Sequence, residues 1–281
     1  MTQENTNQNR TQNLIVPIGI LLFIIIGSLV YFGNFWYQKI KGDSLLQART
    51  ALEQQEQLDA QPQVQAAETS KTPSDVKSDK PKVELFVMSH CPYGTQMEKG
   101  IIPVVETLGD SIDFELKFVD YVMHGKEEVD EQLAQYCIQE NEPEKLLSYL
   151  SCFLEDSDSG ACLNSVGVDQ NTLASCIQAS DEEFGITASF EDKSSWKSGR
   201  FPVFATHAEE NTKYGVRGSP TLIINGANAE ARSRDPATLL ATVCSYFNEE
   251  PEACSTSLSS ATPAPGFGTG TASSPSSASC N

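Results

Sequence analysis

The stretch Val83–Gly94 reads Val-Glu-Leu-Phe-Val-Met-Ser-His-Cys-Pro-Tyr-Gly, and it decides the fold. Its first half is almost continuously apolar, which is typical of a strand buried on both faces of a sheet. Pro92 suits the first position of a helix, where a missing N–H costs nothing. Apolar residues then recur at helical spacing over 97–108. The stretch therefore predicts a buried strand that passes through Cys91 into a helix.

Cys91 stands at the N-cap of this predicted helix, where unpaired backbone N–H groups and the helix dipole favour a thiolate. We therefore expect its pKa to lie below the free value of about 8.5. His90, if cationic, would lower the pKa of this thiol further, whereas the alternative is a partly exposed loop histidine without a role. For Cys91 the alternative is a buried and inert cysteine.

A second stretch, Val216–Gly226, reads Val-Arg-Gly-Ser-Pro-Thr-Leu-Ile-Ile-Asn-Gly. A proline directly before an apolar strand cannot donate to a central ladder, and cis X–Pro bonds occur at such tight turns. Asn-Gly is a hairpin dipeptide. We therefore predict that a strand over Thr221–Asn225 pairs with a strand near Asn228–Arg232.

Together the two stretches resemble the thioredoxin-fold superfamily, in particular the DsbA-like thiol–disulfide oxidoreductases with a helical insertion. The resemblance covers about residues 82–254. It implies that Cys91 is the nucleophile and that Pro220 is a cis-proline packed beside it. It also implies that the backbone of Ser219 pairs with a bound substrate. We assign substrate binding to four residues: Pro92, Tyr93, Ser219 and Pro220.

Gly94 departs from the C-x-x-C pattern of that family, because it stands where the second cysteine would be. A Cys91 mixed disulfide must then be resolved by an external thiol or by a second cysteine of the substrate. Attack by Cys280 is the least favoured route, since a serine-rich tail with one cysteine is usually only a tail.

Composition divides the chain into five parts. We predict a disordered N-terminal tail over 1–13, a transmembrane anchor over 14–37, a stalk and flexible linker over 38–80, a thioredoxin-like domain over 81–254, and a disordered Ser/Thr/Pro/Gly-rich tail over 255–281. An uncharged run of about 20 residues is long enough to span a membrane as a helix. A cleaved signal peptide is the alternative, but no small-residue cleavage site follows the run.

The predicted element order within the domain is β-α-β, a helical insert over about 125–198, a helix, and β-β-α. The second strand is predicted over 112–118. The helix after the insert ends at Gly215, a residue type common just past helix ends. The last helix is expected over Pro236–Phe247, with Asp235 as its cap. This is an α/β thioredoxin-like fold with an inserted helical subdomain.

The chain has eight cysteines and no C-x-x-C pair, so structural disulfides are favoured over a zinc site. Four cysteines lie in the insert and allow three connectivities. We favour Cys137–Cys176 with Cys152–Cys162, because the latter closes a single helix–helix loop. Cys244 and Cys254 would staple the end of the last helix. Cys91 and Cys280 are left over.

A net charge of −19 provides no basic patch for phosphates, so nucleic acid is not an expected partner. No phosphate-binding loop or metal pattern stands out, and we predict neither a cofactor nor a metal. The oligomeric state is left open. A cluster of acidic residues, Glu127, Glu128, Asp130 and Glu131, is most simply a solvated helix face.

The cysteines indicate an oxidising compartment, so we expect the C-terminal domain to be extracytoplasmic. The basic residues that flank the predicted anchor weakly favour the opposite orientation, but long domains translocate regardless of modest charge. The predicted function is thiol–disulfide exchange with protein or peptide substrates, of reductase or isomerase type, through one active-site cysteine. The alternative is a non-catalytic module that binds peptides or partner proteins.

Overall fold

The structure is a computed structural model, and it describes residues 76–272 and Cys280. The predicted N-terminal tail, the membrane anchor over 14–37 and all but the end of the linker lie outside these residues. Within the described part of the chain, no helix is long and apolar enough to cross a membrane.

A four-stranded sheet forms the centre of the domain, in the order β2-β1-β3-β4. Strand β1 (Lys82–Val87) runs parallel to β2 (Asp113–Phe118) and antiparallel to β3 (Thr221–Ile224), which pairs with the short strand β4 (Ala227–Asn228). Five of the six residues of β1 are fully buried, as its apolar run predicted.

Eight α-helices occur in the described residues. They are α1 (Pro92–Leu108), α2 (Lys126–Asn141), α3 (Pro143–Asp156), α4 (Ser159–Val166), α5 (Gln170–Phe184), α6 (Ile186–Glu191), α7 (Ala208–Tyr214) and α8 (Pro236–Cys244). Helix α1 packs on α8 and on α3 of the insert. The β-α-β and β-β-α halves, their strand order and the helices inserted between them define a thioredoxin-like fold.

Three disulfides link the helices in the pairing that the sequence favoured. Cys137 bonds to Cys176 between α2 and α5, and Cys152 bonds to Cys162 between α3 and α4. Cys244 at the end of α8 bonds to Cys254. The insert is thus cross-linked twice, and the last helix is tied to the segment that follows it.

Several element boundaries differ from the sequence predictions. Strand β4 covers only 227–228 and does not reach Arg232, although a strand was predicted near 228–232. It starts there because the residue after a two-residue turn pairs with the residue before it. Helix α8 ends at Cys244, three residues earlier than predicted. Residues before 81 also contact the domain, since the N–H of Ser78 donates to the carbonyl of Tyr246 at 3.0 Å.

His207 is buried beside the end of β2 and serves as a hydrogen-bond acceptor. Its Nδ1 accepts the N–H of Phe118 at 3.2 Å, and its ring lies against Phe118 and Tyr136. Burial, and then the nearby charge of Lys117, lowers the pKa of His207 from 6.5 to about 4. The ring is therefore neutral at neutral pH and fits this acceptor role.

We predict that His207 makes the domain less stable in mild acid. The unfolded chain binds the proton near pH 6.5 and the folded chain only near pH 4, so stability is lost as pH falls between these values. The loss approaches about 3 kcal/mol, at about 1.4 kcal/mol per pH unit. Urea unfolding at pH 7 and pH 4.5 measures it.

The matched variant is His207→Asn, which keeps an acceptor but does not titrate. Because carboxylates also titrate in this range, the test compares the two pH curves rather than either one alone. Parallel curves for the wild-type protein and the variant would contradict the prediction.

Candidate active site

Cys91 caps the N-terminus of α1. Its backbone is extended, at φ −67° and ψ 122°, and its Sγ accepts the N–H of Gly94 at 3.4 Å. The side chain is completely buried. A sulfur at this position faces the positive end of the helix dipole, which stabilises a thiolate when the sulfur is released from a bond.

The Ser219–Pro220 peptide bond is cis and lies directly against Cys91. The carbonyl oxygen of Ser219 is 3.6 Å from Cys91 Sγ. The hydroxyl of Ser219 accepts the N–H of Met88, at 2.9 Å, in the loop that precedes Cys91. The two sequence stretches that predicted the fold thus meet at this peptide.

Gly94 leaves no space for a side chain. A Cβ built on Gly94 would lie 2.5 Å from Ser219 Oγ and 3.0 Å from the carbonyl oxygen of Met88. Both are closer than normal van der Waals contact. A cysteine at position 94 would therefore displace the Ser219 hydroxyl, so the helix cannot supply a second thiol without rearrangement.

The cysteine that bonds to Cys91 lies far along the chain rather than in α1. Cys91 forms a disulfide with Cys280, 189 residues later in the chain. The expectation that these two cysteines are left unpaired was wrong, and all eight cysteines of the chain are paired. Composition could not reveal this bond, because Cys280 follows a stretch of small residues without any structural pattern.

Cys280 also pairs with the sheet through its backbone. The N–H of Ser219 donates to the carbonyl of Cys280 at 2.9 Å, and the N–H of Cys280 donates to the carbonyl of Ser219 at 2.8 Å. This is an antiparallel bridge at the residue that the family resemblance assigned to substrate pairing. Cys280 thus occupies the position expected for a substrate strand.

The segment over 255–272 lies against the domain, although its composition predicted disorder. The Nζ of Lys99 donates to the carbonyls of Ala264, Gly266 and Gly268, at 2.6, 2.7 and 3.1 Å. The N–H of Gly266 donates to the carbonyl of Pro92 at 2.9 Å. The segment therefore docks along α1 through its main chain, which composition alone does not reveal.

An aromatic contact packs the docked segment against the loop before Cys91. Phe267 lies edge-on to His90 and to Phe153 of the insert, with ring centroids 5.5 and 5.2 Å apart. Burial lowers the pKa of His90 below its ordinary value, against the opposing charge of Glu128. His90 is therefore neutral at pH 7, which does not support its expected role as a cation beside the thiol.

The remaining site residues surround a groove beside the cis-proline. Pro92 is exposed at the first position of α1, and Tyr93 is half-buried with its ring 5.6 Å below the guanidinium of Arg234. A groove of about 410 Å³ runs from half-buried Pro220 along β3, and Arg234 and Leu222 contribute to its walls.

Two acids of the predicted solvated helix face are buried instead, and one of them supports the active-site loop. Glu128 accepts the backbone N–H of His90 at 3.3 Å and that of Met123 at 2.7 Å. Glu131 accepts hydrogen bonds from Tyr149 and Ser159. The sequence indicated a solvated helix face because it does not show that these two carboxylates accept hydrogen bonds from other elements.

Helix α1 carries a third buried acid. Burial, and then the nearby charge of Glu131, raises the pKa of Glu98 to about 8, so this side chain is protonated at neutral pH. Among the described residues, no group of three or more His, Cys, Asp or Glu side chains is placed to hold a metal ion.

We predict that Gly94 and Ser219 are energetically coupled. Gly94→Ala is expected to destabilise the domain by about 1–3 kcal/mol, as overpacking does. In a Ser219→Ala background the cost should fall by at least about 0.5 kcal/mol, because the colliding hydroxyl is gone. A double-mutant cycle measured by urea unfolding tests this.

The matched control is Gly160→Ala in α4, where the added methyl group would lie 3.6 Å from Asp158 Oδ1, an ordinary contact distance. This variant should be neutral or stabilised, as alanine is in a helix. Strictly additive costs for positions 94 and 219 would refute the coupling.

We also predict that Lys99 holds the 255–272 segment in place. Lys99→Met should speed amide hydrogen exchange at Gly266 and Gly268 about 10- to 100-fold, because a charge-assisted hydrogen bond contributes about 1.5–3 kcal/mol. Lys126→Met removes an exposed lysine elsewhere and serves as the control. Unchanged exchange in Lys99→Met would count against this role.

Several solved structures resemble the chain in fold. Reduced DsbA from Mycobacterium tuberculosis is 18% identical, with a TM-score of 0.44 over 63% of this chain and 93% of that chain. Reduced DsbG from the same organism is 17% identical, with a TM-score of 0.42 over 65% and 92%. MdbA from Actinomyces oris, a thiol–disulfide oxidoreductase, is 14% identical, with a TM-score of 0.40 over 62% and 83%.

No protein-family model and no curated protein matches the chain. The thioredoxin-like assignment therefore rests on the strand order, the position of the insert and the cis-proline beside Cys91.

Proposed function

We propose that the domain carries out thiol–disulfide exchange with protein or peptide substrates through Cys91. One observation carries the proposal. Cys91 is held in a disulfide whose partner, Cys280, pairs through its backbone with Ser219 beside the cis-proline. The site thus holds a disulfide-bonded residue by its backbone, as an exchange enzyme would hold a substrate cysteine.

The chemistry follows from the position of Cys91. Exchange requires a thiolate that attacks a substrate disulfide and that leaves again as a stable anion. The N–H of Gly94 and the dipole of α1 both favour the anion on Cys91 Sγ. Reductase or isomerase activity is the form of exchange that we propose.

We further propose that the domain works outside the cytoplasm, attached to the membrane through residues 14–37. Four disulfides in one domain support an oxidising compartment, since thiols in the cytosol are kept reduced. The apolar run of the sequence supports the anchor.

A binding module without catalysis is the second candidate. The groove beside Pro220 runs along β3 and suits an extended peptide, which could pair with the backbone of Ser219 in place of Cys280. The absence of a side chain at position 94 favours this candidate, because the helix alone lacks the usual second thiol. In that case peptide binding would not depend on Cys91.

We predict that Cys91→Ser abolishes insulin reduction and the recovery of scrambled ribonuclease, leaving only the uncatalysed rate. The variant lacks the nucleophile, because disulfide exchange requires a thiolate and a serine hydroxyl does not replace it. Because the substitution frees Cys280, the double variant Cys91→Ser/Cys280→Ser is assayed beside it.

The control is Cys152→Ser/Cys162→Ser, which removes a disulfide of the insert rather than the one at the active site. Circular dichroism verifies that each variant is folded. Full activity in Cys91→Ser would refute the catalytic proposal. Intact peptide binding without any activity in the wild-type protein would favour the binding module.

A further inference from the structure

We infer that Cys280 is the resolving cysteine of Cys91 and that its backbone displaces the product from Ser219. This inference rests on the proposed function, which it extends by naming the second reactive residue and the way in which product leaves. The geometry around Cys91 supports it in three respects.

The helix side of Cys91 is closed to a second thiol. The hydroxyl of Ser219 fills the space in which a side chain at Gly94 would lie. It is fixed there by the hydrogen bond from the N–H of Met88. Any thiol that resolves a mixed disulfide at Cys91 must therefore arrive from outside α1.

Cys280 meets this requirement within one chain. Its Cα lies 6.2 Å from the Cα of Cys91, within the normal range for a disulfide. Its side chain packs against the buried apolar group that includes Phe86, Met88 and Cys91. Both backbone hydrogen bonds to Ser219 hold it in register. Cys280 is therefore both bonded to Cys91 and held in place by its own backbone.

The segment over 255–272, which precedes Cys280 in the chain, is held against the domain. Lys99 binds three of its carbonyls, and Phe267 packs on His90 and Phe153. Seven residues, 273–279, join this docked segment to Cys280. A tethered thiol reacts at an effective concentration far above that of a free one.

Thiols and disulfides balance over the two proposed reaction steps. The Cys91 thiolate attacks a substrate disulfide, so a Cys91–substrate bond forms and one substrate sulfur leaves as a thiolate. The Cys280 thiolate then attacks Cys91 Sγ, forming the Cys91–Cys280 bond and releasing the second substrate sulfur. Both substrate thiolates take protons from the solvent, so the substrate gains two electrons and the cysteine pair loses them.

The backbone of Ser219 couples the second step to release. A bound substrate and the backbone of Cys280 require the same N–H and carbonyl of Ser219, so both cannot pair with it at once. Formation of the Cys91–Cys280 bond therefore places Cys280 where the substrate was paired. Resolution and displacement of the product occur together.

The test uses the full chain after limited reduction, with mapping to show that the Cys91–Cys280 bond is open and the other three are intact. The probe is a synthetic peptide with one intrachain disulfide and no other thiol. Mass spectrometry follows the Cys91–peptide adduct and the reduced peptide over time, without added thiol.

The wild-type protein should release reduced peptide and end as the Cys91–Cys280 disulfide. Cys280→Ser should instead accumulate the adduct and release peptide at least 10-fold more slowly. Equal release by both proteins would overturn the resolving role while leaving exchange at Cys91 intact. Failure of both proteins to form an adduct or to reduce the peptide would overturn the proposed function and this inference together.

A second variant separates pairing with Ser219 from simple proximity. In Cys280→Ser/Asn281→Cys the thiol moves by one residue along the chain, away from the residue whose backbone pairs with Ser219. This variant should release peptide as slowly as Cys280→Ser. Release at the wild-type rate would overturn the assigned pairing, because any tethered thiol would then be sufficient.

Discussion

The close packing of the first turn of α1 against the Ser219–Pro220 peptide is the contact on which the active site depends. It brings the Ser219 carbonyl to 3.6 Å from Cys91 Sγ and places the Ser219 hydroxyl over Gly94. The absence of a side chain at position 94 permits this approach. Gly94 thus lets the Ser219–Pro220 peptide, whose backbone pairs with Cys280, lie close to Cys91.

The docked C-terminal segment shows how a sequence with few apolar residues can still be ordered. Its position depends on main-chain hydrogen bonds, in which it both donates and accepts, and on a few apolar side chains such as Leu258 and Phe267. Lys99 and Gln96 donate to its carbonyls. Hydrogen bonds to a charged donor are worth more than neutral ones, which allows a few of them to hold a short segment.

The insert contributes polar support rather than only a cover. Glu128 holds the backbone at His90, and Gln132 accepts the N–H of Ser89 at 3.2 Å, so helix α2 fixes the loop that carries Cys91. Glu98 on α1 stays protonated because it is buried near Glu131. A thiol held by a rigid loop loses less freedom when it reacts, which is an advantage for exchange.

By itself the sequence determined the type and order of the main elements. The apolar run before Cys91, the proline after it and the Asn-Gly turn act over a few residues, so local patterns reveal the strand, the helix and the hairpin. The insert disulfides were favoured from the spacing of their cysteines, whereas the cis geometry at Pro220 was implied by the family resemblance of the two stretches. Only the tertiary structure decided what meets Cys91. The bond to Cys280 and the pairing with Ser219 join residues that are far apart in the chain, and they depend on the packing of α1 against β3 rather than on any local preference.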